Sequence, residues 1–587
     1  MKLINNILIG LLLSGLFFTS CEEFKIGDDF VSQQPEQIGV NQDTIFSKKL
    51  YADQVLVKAY TSLPYPIATA QKARFGGDFT DALTSLSYSA CHYGGARSQY
   101  YVGSYSAGTV NSNSVFYYNT ASIWMGLRYS WLVIENIDKV PDMLESEKLH
   151  AKAEARMIIA TQCANLLRNF GGFPLIDHSI SADETFHYPR ATFEESVNFI
   201  VKLIDESIPD LPWKETADND GRMTKAYAMG LKLRVLLFAA SPLFNDAEPY
   251  LAGEASDKHL TWYGNYDKSR WSDAEQAGKD FIDELEKTGG YSLVQADTKD
   301  MDGYRAAFNK AYFTRNNGEV LLSIRKAYRN LYSKAFCGGA DNYAHAQSPT
   351  LTYANMFSFA DGSDFPSDFD WENAPTDPFA NRDPRFYETI LTNGRAYKNR
   401  KSELYVTGRD RPTDATNGTG LLMYKFSQDY TSATSIGAVD SWPEMRLSEV
   451  YLSYAEAINE ANDGPNTTAY DMINKVRNRV GLPNLSAGLS QEEFRKAVLR
   501  ERALEFGYEE VRWYDVIRWK MKESFMSDIQ GVNMYIDSSK PTGYRYELFT
   551  ITPSRVWKND WSAKWYLSAF PINEINKNYG LIQNPGW

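Results

Sequence analysis

Cysteine is scarce in this chain, and its spacing excludes more than its count does. Four occur in 587 residues, Cys21, Cys91, Cys163 and Cys337, and no two form a C-x-x-C pair. A disulfide framework or a structural zinc site needs closer and more numerous thiols, so neither is expected. Histidine is equally thin. The six are scattered, none at ligand spacing, and there is no H-E-x-x-H, no G-x-S-x-G and no phosphate-cradling glycine loop. No catalytic residue, metal site or cofactor site is therefore assigned. Positive charge is in deficit: 61 Lys and Arg face 74 Asp and Glu, a formal net charge of −13. No basic face is suggested, which argues against nucleic acid as a partner. Long apolar runs are missing beyond the N-terminus, where Ile7 to Phe18 is too short to span a bilayer.

That N-terminal run has a purpose. Lys2 supplies a positive start, the apolar stretch follows, and Phe18-Thr19-Ser20 leads into Cys21. The pattern reads as a lipoprotein signal over residues 1–20, removed so that Cys21 becomes the lipid anchor. Acyl chains there would hold the protein on a membrane, each buried methylene contributing about 0.8 kcal/mol. Residues 21–43 read as an acidic tether, with Glu22, Glu23, Asp28 and Asp29 resembling the export signal of surface lipoproteins. The expected location is the outer membrane, facing the cell exterior.

From residue 44 to 587 no Pro/Ser linker or low-complexity run divides the chain, so one large domain is expected. Its parts are 44–290, a loop-rich central excursion 291–440, and a helical region 441–587. Helix is written in several places. Met157, Ala160, Ala164 and Leu167 make one buried stripe over Ala151 to Asn169, which Gly171-Gly172 and Pro174 stop. Further helices are predicted over Met223 to Ala240, Trp271 to Thr288, Arg446 to Asn462, Ala469 to Val480 and Glu492 to Lys520. The fold class is mainly α, with tetratricopeptide-like helix pairs but no strict repeat, and long excursions at 75–120, 291–440 and 521–587. Excursions of that length on a rigid scaffold are usually functional.

Several segments together resemble the SusD/RagB family of outer-membrane nutrient-uptake lipoproteins. They are Arg446 to Ala457, Ile473 to Pro483, Leu499 to Phe506, Glu509 to Trp519, Ala569 to Ile575 and Gln583 to Trp587, with Gly171 to Leu175 and Asp383-Pro384-Arg385 earlier. They occur in the family's order over nearly the full chain. Tyr579 stands where the family often has Pro, and Glu510 where it often has Gly. The resemblance implies a SusD-like α-superhelical fold and a binding protein that forms the lid on a SusC-like TonB-dependent transporter and passes oligosaccharide into it. A lipoprotein glycoside hydrolase, or a family member that binds peptide or another nutrient, is the alternative.

Read physically, Glu501, Arg502, Glu505, Arg512 and Arg518 lie among apolar residues on one predicted helix and are expected to form partly buried ion pairs. Glu501 and Glu505 make a poor acid and base pair, because glycosidase carboxylates bracket a cleft from different elements. Binding chemistry is better sought among the aromatics, which form 14% of the chain with 38 Tyr. Tyr88, His92, Tyr93, Arg97, Tyr100, Tyr101 and Tyr105 crowd one Gly/Ser-rich loop, and Tyr328, Tyr332, Asn342, Tyr343 and His345 another. Sugar rings stack their C–H faces on such side chains, while amides and guanidinium groups meet the hydroxyls. In the family, glycan contacts come from the loop after the first helix and from a central excursion, where these two clusters fall. The candidate ligand residues are Tyr88, His92, Tyr93, Arg97, Tyr100, Asn342, Tyr343 and His345, and about half of the loop tyrosines are expected to serve packing instead.

Overall fold

The computed structural model describes residues 42–66, 75, 78–89, 95–181, 183–325, 347–397, 399–411, 418–426, 441–552 and 555–587. Among them, the helices of seven or more residues are α1 Lys49–Tyr60, α2 Ala121–Asn136, α3 Glu145–Phe170, α4 Phe193–Ser207, α5 Lys225–Ala240, α6 Ser269–Thr288, α7 Met301–Phe313, α8 Leu447–Ala461, α9 Thr467–Arg479, α10 Gln491–Glu505 and α11 Arg512–Arg518. Strands of three or more residues are β1 Ser87–Ser89, β2 Val320–Arg325, β3 Gln347–Pro349, β4 Ser441–Arg446, β5 Gln530–Ile536 and β6 Tyr544–Thr550. They pair only two by two, β1 with β3, β2 with β4 and β5 with β6, all antiparallel. The fold is mainly α.

Local chemistry explains the helix ends. The Leu144 N–H donates to Glu147 Oε2 at 2.9 Å and so closes the first turn of α3. Thr192 with Glu195, and Ser490 with Glu493, do the same reciprocally at the starts of α4 and α10. Gly171 ends α3 with φ +80°, where a Cβ would also stand 2.8 Å from the Leu260 carbonyl oxygen. The long helices then pack in succession: α1 on α2, α2 on α3, α3 on α4, α4 on α5, α5 on α6, α6 on α8, and α8 on both α9 and α10. Gly278 permits the α6–α8 approach, since a Cβ there would lie 2.4 Å from the Tyr454 ring.

The region predicted as one helix from Glu492 to Lys520 is two. Between α10 and α11 the chain turns through Tyr508 (φ +62°) and Glu510 (φ +61°), a left-handed backbone that Gly adopts without cost and that other residues hold only with help. The help is long-range. Glu510 Oε1 accepts from the Thr80 N–H at 2.9 Å, and the Tyr508 N–H donates to Asp81 Oδ1 at 3.2 Å. The central excursion is likewise not structureless, for it carries α7, β2 and β3.

The same turn delivers Glu509 into a buried ion network. Glu505 sits at its centre, meeting Arg479 at 2.5 Å, Arg446 at 2.8 Å and Arg385 at 3.2 Å. Arg446 also reaches Glu319 at 2.6 Å and Glu509 at 2.7 Å, Lys425 reaches Glu509 at 2.6 Å, and Arg385 reaches Glu501 at 2.6 Å. A second group ties Arg502 to Asp515 at 2.8 Å and Arg518 to both Asp515 and Glu456. Arg512 departs from the expected pairing, since it donates to the Leu499 carbonyl instead. Burial opposes ionisation of Glu505, but Arg479, Arg446 and Arg385 outweigh it and hold its carboxyl well below the usual range.

Two measurements check this account. Glu505→Gln leaves three buried guanidinium groups short of an anion, so denaturant unfolding is expected to show a loss on the order of 3 to 5 kcal/mol; a loss under about 1 kcal/mol would contradict the network's role. Asp81 is the opposite case: burial first, then the neighbouring Glu510 carboxylate, push its pKa up to about 7. The folded state therefore keeps a proton that the unfolded chain releases near pH 4, so the contribution of Asp81 to stability declines as pH rises from about 4 to about 7 and stays level above. Asp81→Asn removes that decline and keeps an acceptor for Tyr508, so its melting temperature should exceed the parent's at pH 8 and converge with it toward pH 4. Parallel curves across that range would refute the assignment.

Candidate functional site

The two Tyr-dense loops lie some 250 residues apart in sequence, yet they leave the same end of one ladder. In the β1–β3 pair, Ser87 faces Pro349, Tyr88 faces Ser348 and Ser89 faces Gln347. The chain from 90 to 94 follows Ser89, and the chain from 326 to 346 leads into Gln347. Antiparallel pairing thus joins the root of the first loop to the root of the second.

One carboxylate closes the first loop. Asp78 Oδ1 accepts from Ser89 Oγ at 2.6 Å and its Oδ2 from the Ala96 N–H at 3.0 Å, so a single buried side chain grips both ends of the segment between them. Beyond Ala96 the chain makes a π-helical turn, Ala96–Tyr101. Its last residue locks the base again: the Tyr101 hydroxyl accepts from the Ser89 N–H at 3.0 Å and donates to the Ala82 carbonyl at 2.6 Å. Asp78 was not singled out from sequence; its only signal there is a carboxylate following Gly76-Gly77 beside the loop.

The loop tyrosines divide by role. Tyr88 stacks on Tyr101 with centroids 5.4 Å apart, and Tyr100 stacks on Tyr105 at 4.7 Å, backed by Trp557 and Trp565. Tyr105 Oη accepts from the Ala569 N–H at 2.9 Å, and Tyr100 Oη from the Val115 N–H at 3.2 Å. Tyr88 and Tyr100 are each only 4% exposed. That corrects the expectation for both: their ring faces are covered by protein, and a stacking sugar needs an open face. They form a foundation under the loop. Burial raises the hydroxyl pKa of all four, to about 12 for Tyr105, so they stay protonated donors. Arg97 stands partly exposed on the π-helical turn, near enough to Tyr88 for its charge to oppose that rise. His92, Tyr93, Asn342, Tyr343 and His345 lie outside the described residues, as do Tyr328 and Tyr332.

Glu501 and Glu505 are 2% and 0% exposed and engaged by arginines, away from any open surface. Cys163 is buried, with its thiol pushed up by burial and hence unreactive. Among the described residues no helix is long and apolar enough to cross a membrane.

A sequence model of the SusD family matches residues 295–587. Among curated relatives, SusD-like protein P2 of Formosa agariphila is 39% identical over 84 residues, which is 13% of this chain; the match spans only 16% of that relative's length. Among solved structures, a SusD-like protein from Bacteroides fragilis superposes with a TM-score of 0.72 at 21% identity, over 94% of this chain and 100% of the other. Surface glycan-binding protein A from Bacteroides uniformis does so with a TM-score of 0.59 at 17% identity, over 92% and 99%. Through residues 295–587 the chain belongs to the SusD family, and over nearly its whole length it carries the SusD-like fold.

Proposed function

We propose that this protein is a non-catalytic, lipid-anchored outer-membrane protein that binds polysaccharide or oligosaccharide at the cell surface and delivers it to a partner SusC-like TonB-dependent transporter. The observation that carries the reading is the β1–β3 pairing, which roots two loops rich in Tyr, Asn, His and Arg side by side. Tyr93 and Tyr343 are the proposed stacking rings, with Arg97, His92, Asn342 and His345 meeting hydroxyls. Support also comes from the name of the Bacteroides uniformis neighbour, a surface glycan-binding protein. The anchor at Cys21 suits a chain that must stay beside a membrane transporter while its binding face remains in water.

No observation favours the hydrolase alternative, since the one carboxylate pair weighed for it, Glu501 and Glu505, is committed to arginines. The test is calorimetry on the soluble chain lacking residues 1–21, against a glycan chosen from an array. Changing Tyr93 and Tyr343 together to Ala should weaken binding at least tenfold, because each stacked ring contributes about 0.5 to 1.5 kcal/mol beyond its buried area. The melting temperature should be unchanged and the glycan recovered at its original length. Unchanged affinity in the double variant, or shortened glycan after incubation with the parent, would sink the proposal.

A further inference from the structure

Away from the β1–β3 loops, the helical layer opens into a cleft of about 500 Å³ between the C-terminal end of α6, the segment 291–295, and the facing sides of α8 and α9. Its floor is apolar: Ile282, Leu285, Leu293, Tyr451 and Met472 are each less than 10% exposed. Its rim is polar and open, with Glu286, Ser292, Lys475 and Asn478 all exposed. A volume of this size with an apolar floor and a few convergent polar groups has the form of a ligand site.

The charged rim groups stand apart from the ion pairs nearby. On helix α6 or against it, Lys279 pairs with Asp283 and Lys225 with Glu284. Lys475 instead stands 5.9 Å from the centroid of the Tyr451 ring, and Glu286 lies near enough to Tyr451 to help burial and Glu319 raise its hydroxyl pKa. Neither Lys475 nor Glu286 has an opposite charge within ion-pair distance among the described residues, and they do not meet each other across the opening. The Tyr451 hydroxyl and the Ser292 and Asn478 side chains make no hydrogen bond within the described protein either. Water screens an exposed ion pair strongly, so keeping these charges apart costs little and leaves both available.

The ligand chemistry follows from the combination. A neutral sugar needs an uncovered aromatic face, but the floor is mostly aliphatic and Lys475 stands over the Tyr451 ring. An isolated anion would meet Glu286, and an isolated cation would meet Lys475. An apolar side chain with a charge of each sign beside it, on a backbone that offers amides to Asn478 and Ser292, matches the apolar floor and these four rim groups, while the lining residues Arg479 and Gln295 are engaged within the protein. We propose that this cleft is a docking site for a peptide segment carrying one apolar residue between an acidic and a basic one. It shares no residue with the β1–β3 loops, so it stands or falls separately from glycan binding.

The probes are two capped tripeptides, acetyl-Glu-Leu-Lys-amide and its reversed form acetyl-Lys-Leu-Glu-amide, titrated into the soluble chain with isotope-labelled methionine methyl groups. The Met472 methyl resonance, assigned through Met472→Leu, should shift saturably with at least one of them, with a Kd at or below about 1 mM. Lys475→Glu should weaken that binding at least tenfold with no change in melting temperature, and adding Glu286→Lys should restore it for the peptide of opposite order. Three results would overturn the proposal: no saturable shift with either peptide up to about 10 mM, equal binding of uncharged acetyl-leucine-methylamide, or the same Met472 shift on adding a neutral oligosaccharide.

Discussion

The buried meeting of Glu505 with Arg385, Arg446 and Arg479 ties the helix ends to the segments that lead to the loop base. These four side chains come from the end of α10, the segment after Asp383, the end of β4 and the end of α9, so one carboxylate joins four separate parts of the chain. Around it, Asp383, Glu319, Glu501 and Glu509 are matched by Arg477 and Lys425 as well as the three arginines, five acids against five bases. Desolvating so many charges is expensive, and the attraction repays that only when the geometry is complete. The network therefore contributes little net stability as a whole while making the loss of any one member severe. What it fixes is register: helices that could slide on an apolar seam cannot slide when guanidinium groups must meet named carboxylates.

From that network a chain of contacts runs to the loop base. Glu509 is a member, and its neighbours Tyr508 and Glu510 bind Asp81 and Thr80. The turn that follows, Thr80–Leu83, presents the Ala82 carbonyl to Tyr101, which holds the start of the first loop at Ser89. Tyr508 Oη also meets Ser87 Oγ on β1 at 3.3 Å. The position of β1, and through it of β3, is thus set by side chains more than 400 residues distant in sequence.

Sequence patterning carried the scaffold and stopped at the loops, for physical reasons. The stripe Met157, Ala160, Ala164 and Leu167 and the stop at Gly171 are local facts; the stop matched, but α3 begins at Glu145, ahead of the expected Ala151, is buried all round from Met157 to Cys163, and leaves Ala164 half-buried. The split between α10 and α11 was hidden, because the apolar rhythm continues through it and the left-handed residues Tyr508 and Glu510 depend on partners on another part of the chain. The ion pairs around Glu501, Glu505 and Arg518 were legible as charges among apolar residues, though their partners Arg385, Arg446, Arg479 and Glu319 were not. Tyrosine was the least readable signal, since a ring that packs and a ring that binds have the same composition. Tyr88 and Tyr100 lie in the foundation because Tyr101, Tyr105 and Trp557 happen to cover them, a fact that only tertiary structure supplies.

The central claim is that one scaffold presents two distant loops as a single binding face. Hydrogen exchange on the soluble chain, with and without a bound oligosaccharide, tests it most directly. The account predicts that ligand slows exchange together in peptides covering 88–97 and 340–349 while the α6, α8 and α9 amides stay unchanged. Protection of one segment without the other, or protection confined to the helical layer, would contradict it.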